Sequence, residues 1–215
     1  MRVRDYLGIS TRRQRQLTRL MQVTLVGVFL VGVVEANLGV IVNGGVALAI
    51  TYLPAIIERD YEIPLDAGLT LWITAAVFLH AVGTLGPYQD TWWWDHVTHL
   101  LSASVVAAAG YAAARAVDEH SEQIHLPPRF MFVFILVFVL AFGVLWEVIE
   151  FTLGGLSSVL GGSAVLTQYG LTDTMLDLVF DVVGGLVVAI WGTAYLTNVS
   201  DALAERLDSR ANARE

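Results

Sequence analysis

Three groups of ionisable residues stand at helical spacing inside otherwise apolar stretches. In TDTMLDLVFDVVGG, Asp173, Asp177 and Asp181 lie at i, i+4 and i+8, and the run from Met175 to Leu196 is apolar apart from the last two of them. At 100° per residue the three share one helix face, and Asp181 lies roughly 12 Å along the axis from Asp173. Asp95 and His99 (i, i+4) share a face in DHVTH, and Glu147 and Glu150 (i, i+3) share one at the end of a long apolar run. A carboxylate at membrane depth is costly and turns toward a bundle interior and a partner. Carboxylates gathered closely in low dielectric cannot all ionise without a cation, so the choices are a bound metal, shared protons or a wet cavity. Imidazole with carboxylate and no sulfur suits zinc, manganese or iron, and an all-oxygen subset suits magnesium or calcium. Asp95, His99, Glu147, Glu150, Asp177 and Asp181 are therefore expected to converge as ligands of a divalent metal, with His99 and Glu147 the candidate catalytic residues.

Competing roles divide these residues. Asp95 and Asp173 stand at helix starts, where a carboxylate caps free N–H groups. Asp177 and Asp181 are too deep to cap. Glu147 and Glu150 could form a wetted helix end. His99 pairs with Asp95 at ligand spacing, whereas His96 is read as facing elsewhere, at the interface. His80 and Glu35 fit the cavity or simple packing equally well. Trp92, Trp93 and Trp94 read as an aromatic belt, Gly184 and Gly185 as tight helix packing, and His120 and His125 receive no role.

The elements that must position these groups are membrane spans. The 215 residues are 56% hydrophobic and 15% charged, with mean hydropathy +0.64. Several apolar runs are long enough to cross a bilayer. The absence of cysteine excludes disulfides, thiolate metal sites and cysteine nucleophiles. No small-residue cleavage site follows the first apolar run, so no cleavable signal peptide is expected. The reading is an all-α polytopic bundle of about six transmembrane helices: 20–36, 44–57 (with 38–42 also helical and Pro54 kinking the inner end), 69–85, 97–114, 130–149 and 173–196. Residues 1–19 form an arginine-rich segment, 20–196 the membrane domain and 197–215 a tail. The glycine-rich, uncharged stretch 151–172 is either a surface loop or a re-entrant segment, the latter slightly favoured.

Orientation follows from arginine. With six spans, the N-terminal segment, the 58–68 and 115–129 connections and the tail share one side, and all twelve basic residues, every one an arginine, fall there. That side is expected to be cytoplasmic, with both termini, in a plasma-membrane protein. Twelve of the twenty acids fall on the same side. The other eight, Glu35, Asp90, Asp95, Glu147, Glu150, Asp173, Asp177 and Asp181, lie in the outer half, so the whole net charge of −8 is there.

At these residues the chain resembles known groups. Asp95-His-Val-Thr-His99, Glu147-x-x-Glu150 and Asp177-x-x-x-Asp181-x-x-Gly184 are similar to the D-K-x-x-H, E-x-x-Q and D-x-x-x-N-x-x-G patterns of VanZ-like membrane proteins. The resemblance is closer to the YjdF-like family of predicted inner-membrane proteins, with its D-x-x-x-H helix start, E-x-x-E pair and late D-T-x-x-D, here Asp173-Thr174 with Asp177 four residues on. It covers roughly residues 69–192. His96 replaces the VanZ lysine, and the arginine before the last aspartates is absent. The resemblance implies the site and no reaction.

The function expected is a metal-dependent enzyme acting on a lipid or lipid-linked substrate at the outer leaflet, with membrane lipids as partners and no nucleic acid. The alternative is a cation or proton transporter using the same carboxylates. The inner halves of the spans carry few polar residues and no acidic partner, and inverted repeats are not evident, which favours the enzyme.

Overall fold

A computed structural model describes residues 9–160, 164–166 and 168–212. Every regular element among them is helical: α1 (Thr11–Val34), α2 (Leu38–Ile50), α3 (Leu53–Tyr61), α4 (Ala67–Gly83), α5 (Pro87–Asp90), α6 (Trp94–His120), α7 (Pro128–Leu160) and α8 (Leu171–Asn212). Five stretches are long and apolar enough to cross a membrane, with α2 and α3 together making one of them. The 17-residue α4 is the shorter sixth. Its length of roughly 26 Å, at 1.5 Å per residue, falls just short of a typical hydrocarbon core.

Local chemistry sets the boundaries. Ser10 caps α1 through Arg13 N–H, Asn37 caps α2 through Val40 N–H, and Asp66 caps α4 through the N–H groups of Gly68 and Leu69. Residues 11–19 are the first turns of α1 itself, so the arginine-rich segment runs into the first span without a break. Pro54 does not kink a continuous helix. It lacks an N–H and would crowd the carbonyl of Ile50, so α2 ends at Thr51 and Pro54 sits in the first turn of α3.

The stretch after Glu150 departs from both sequence readings. Phe151 to Leu160 continue α7 to 33 residues, roughly 50 Å at 1.5 Å per residue. No proline or charge lies between Phe151 and Leu160, and the hydroxyls of Thr152, Ser157 and Ser158 bond back to the carbonyls of Val148, Gly154 and Gly155. Only beyond the helix does the chain fold against protein. There Asn43 Nδ2 donates to Val165 O (2.6 Å), and Gly39 lies so close to Ala164 O that a side chain at 39 would collide with it.

The most extensive packing joins α6 and α8, which run parallel. Small residues permit it: Gly184 lies against Leu100 O and Ser104 N with no room for a Cβ, beside Ala103. Ala103, Ala107 and Tyr111 of α6 form one core with Ile135 and Val139 of α7 and Val188 and Leu196 of α8. Trp72 of α4 joins its edge and donates to Ser104 Oγ (3.0 Å). A second cluster, Leu25, Ala47 and Ala81, binds α1, α2 and α4. At the opposite end from the acids, Arg206 of α8 donates to Asp60 O and lies over the Tyr61 ring, His120 pairs with Asp208, and Gln14 approaches Gly68. All four arginine-bearing segments thus meet at one end of the bundle, as the charge map requires.

Candidate functional site

The first turns of α6 and α8 start at the other end and carry the aspartates and histidines. Gly83 makes room for Tyr88 and Trp94, and Trp94 Nε1 donates to Leu79 O (3.1 Å), which pins the start of α6 against α4. Trp94 thereby turns inward while Trp92 and Trp93 stay exposed, so the tryptophan triplet is not a uniform belt.

His99 is held between two aspartates. Its Nδ1 lies 3.2 Å from Asp181 Oδ1, and its Nε2 lies 3.6 Å from Asp95 Oδ1. Asp95, His99 and Asp177 each offer a ligand atom within 4.8 Å of the others. Gly143 of α7 is what lets Asp181 fit, since any side chain there would strike its carboxylate. Asp177 is 1% exposed, and its Oδ1 is buried with no hydrogen-bond partner among the described residues.

His96 is at the site, not at the interface. Its ring stacks on Phe180 at 4.6 Å, and its Nδ1 lies 3.7 Å from Asp177 Oδ1. That is too far for a hydrogen bond, and both atoms are buried without one. The signal was present in the sequence: His96 and His99 are three residues apart and share a helix face.

The glutamates are further apart in role than their spacing suggests. Glu147 Oε2 accepts from Thr174 Oγ1 (2.8 Å), which in turn accepts from Gln168 Nε2 (2.8 Å), while Glu147 Oε1 is buried and unpartnered. Glu150 Oε1 accepts from Trp146 Nε1 (2.9 Å), and the residue lines a cavity with Asp95. Asp173 Oδ2 accepts from Tyr169 N–H (3.2 Å), which precedes the helix start at Leu171. It thus ties the incoming chain to α8 and does not cap the helix's own N–H groups. Glu35 is the exposed C-cap of α1, away from the cluster.

His80 belongs to a separate chain of hydrogen bonds. Asn43 Nδ2 donates to the carbonyls of Gly39 and Val165, so its Oδ1 is the acceptor for His80 Nε2–H (2.9 Å). His80 Nδ1 is then left to accept from Tyr88 OH (2.8 Å). Burial pushes the Tyr88 phenol well up, which keeps it a donor. Both ring nitrogens of His80 are thus committed.

Two cavities meet at this chain. The outer one, about 230 Å³, is lined by Asp95, Glu150, Tyr88, Gln89, Tyr169 and Asn37 among others. The inner one, about 410 Å³, has His99 and Asp181 at its head and is otherwise mostly apolar, reaching Ile50, Ile73 and Val106. Asn43 and His80 line both.

Fold and site together define a multi-pass helical membrane protein with a buried carboxylate–imidazole cluster. The chain belongs to the family described as predicted membrane protein DUF2238, whose model matches residues 17–198. It is also similar to a Thermotoga maritima protein described as uncharacterized, at 30% identity over 141 residues, covering 64% of this chain and 68% of that one. The YjdF-like resemblance corresponds to this family; neither match bears on the VanZ-like one. No solved structure matches.

Proposed function

We propose that this protein is a membrane-embedded enzyme that holds a divalent cation through Asp95, His99 and Asp177 and acts on a lipid or lipid-linked substrate at the outer leaflet. The observation that carries this reading is the convergence of those three ligand atoms within 4.8 Å, beside buried, unpartnered oxygens of Asp177 and Glu147. Unpartnered buried carboxylate oxygens are costly; a cation at the three ligands would satisfy that of Asp177 and leave that of Glu147 free. One imidazole with two carboxylates favours zinc, manganese or iron over magnesium, and three protein ligands leave coordination positions for water and substrate.

When bound, such a cation supplies an activated water and polarises a carbonyl or phosphoryl oxygen. The chain's own residues do the rest. Asp181 accepts from His99 Nδ1–H, which presents Nε2 toward Asp95 and fixes the ring. That assigns Asp181 to positioning and not to the metal itself. His96 faces Asp177, with Nδ1 3.7 Å from its Oδ1, and is the candidate for a fourth ligand. Glu147, oriented by Thr174, keeps one oxygen free to take a proton as general base.

The test is metal analysis of the purified protein, with thermal stability before and after chelation and lipid turnover in membranes. Bound metal, a rise in Tm on adding zinc or manganese, and loss of both in Asp177→Asn are expected. Protein that neither retains nor responds to any divalent cation would overturn the reading. Saturable cation flux in liposomes, lost in the same variant, would instead make it a transporter.

A further inference from the structure

The two cavities differ in chemistry and share a wall at Asn43 and His80. The inner one opens sideways. α2 packs on α1 and α4, and α7 packs on α6 and α8, but α2 and α7 have no extensive packing on each other. Val46 of α2 (53% exposed) and Phe142 of α7 (46% exposed) flank this gap and line the cavity. In a membrane, that gap faces hydrocarbon. From it the apolar walls lead to His99 and Asp181.

No lysine or arginine lines the outer cavity, and the outer half of the sequence carries none at all. It offers amides (Asn37, Gln89), phenols (Tyr88, Tyr169) and two carboxylates already engaged, Glu150 by Trp146 and Asp95 near His99. Burial also pushes the Tyr169 phenol up and keeps it a hydrogen-bond donor, while the Tyr88 O–H is already given to His80 and leaves its oxygen to accept. This lining suits a head group that both donates and accepts, and it repels an anion.

We propose that the substrate is a membrane amphiphile with an uncharged, hydroxyl- or amide-bearing head, entering from the bilayer between α2 and α7. Its hydrocarbon chain lies in the inner cavity, its head in the outer one, and the bond next to the head beside His99. This deepens the enzyme reading and rests on it for the placement of the reacting bond.

The experiment uses the full chain in nanodiscs with three lipids carrying a photoreactive diazirine in the acyl chain. One bears a neutral sugar head, one an anionic phosphatidylglycerol head and one a trimethylammonium head. The sugar lipid should label the walls near Ile73, Val106 or Phe142 saturably, and unlabelled sugar lipid should compete at least tenfold better than the other two. Val46→Trp at the gap should cut labelling at least tenfold and Val46→Ala should not, while both keep the metal-induced rise in Tm. Equal labelling by all three lipids, preferred labelling by a charged one, or labelling confined to outward positions such as Val137 would overturn the proposal. Selective sugar-lipid labelling of protein that binds no metal would leave the pocket standing and sink the enzyme reading alone.

Discussion

At the scale of single residues, Asp177 and Asp181 are one helical turn apart and do different work. Asp177 faces the gap shared with Asp95, His96 and His99, whereas Asp181 stands behind the His99 ring. Asp177→Asn should therefore abolish metal-dependent stabilisation. Asp181→Asn retains a hydrogen-bonding amide behind His99 and should weaken metal binding by about 10–100-fold, as changes behind a ligating histidine do; titration with zinc or manganese separates the two. Glu147→Gln should bind metal with little change and lose turnover, because an amide keeps the Thr174 contact and cannot accept a proton as a base. None of the three should lower Tm in metal-free protein, since each removes charge from crowded carboxylates.

At the scale of elements, two glycines make opposite predictions. Gly184→Ala meets backbone, Leu100 O and Ser104 N, so α6 and α8 must separate, and an overpacking cost of about 1–3 kcal/mol is expected as a lower Tm. Gly143→Ala meets mainly the Asp181 carboxylate, which can swing away; metal affinity should fall more than stability. Periodicity made the helices and the shared faces of Asp95/His99 and Asp177/Asp181 readable, because both follow from 3.6 residues per turn. It did not give which helices lie side by side. The three-residue spacing of His96 and His99 put both on one side of α6. Only the close crossing of α6 and α8 shows that Asp177 lies there, and His96 was misread as facing elsewhere. The run from Phe151 to Leu160 was misread because glycine and the lack of charge suggested a loop or, slightly favoured, a re-entrant segment, while its hydroxyls turn back onto the helix. The role of Gly143 had no local signal at all, since the group it accommodates comes from 38 residues further along the chain.

At the scale of the whole molecule, the bundle has an arginine end and an acidic end, and the chain contains no cysteine. Single cysteines at Ser121 and Ser157 can therefore be labelled without background. They should react with an impermeant maleimide from opposite faces of the membrane, Ser121 from the inside; reaction of both from one face would refute the six-span arrangement. The parallel course of α6 and α8 has an electrostatic consequence. Each helix carries roughly half a positive charge at its N-terminus, and both N-termini open into the same acidic cluster. Two aligned macrodipoles side by side repel, and in hydrocarbon that repulsion is poorly screened. Asp95, Asp173 and Asp177 stand in the first two turns of these helices, where negative charge offsets it. The carboxylates are thus a counter-charge for the fold as well as ligands for a cation, and replacing all three by amides at once would uncover a repulsion that each single variant leaves hidden.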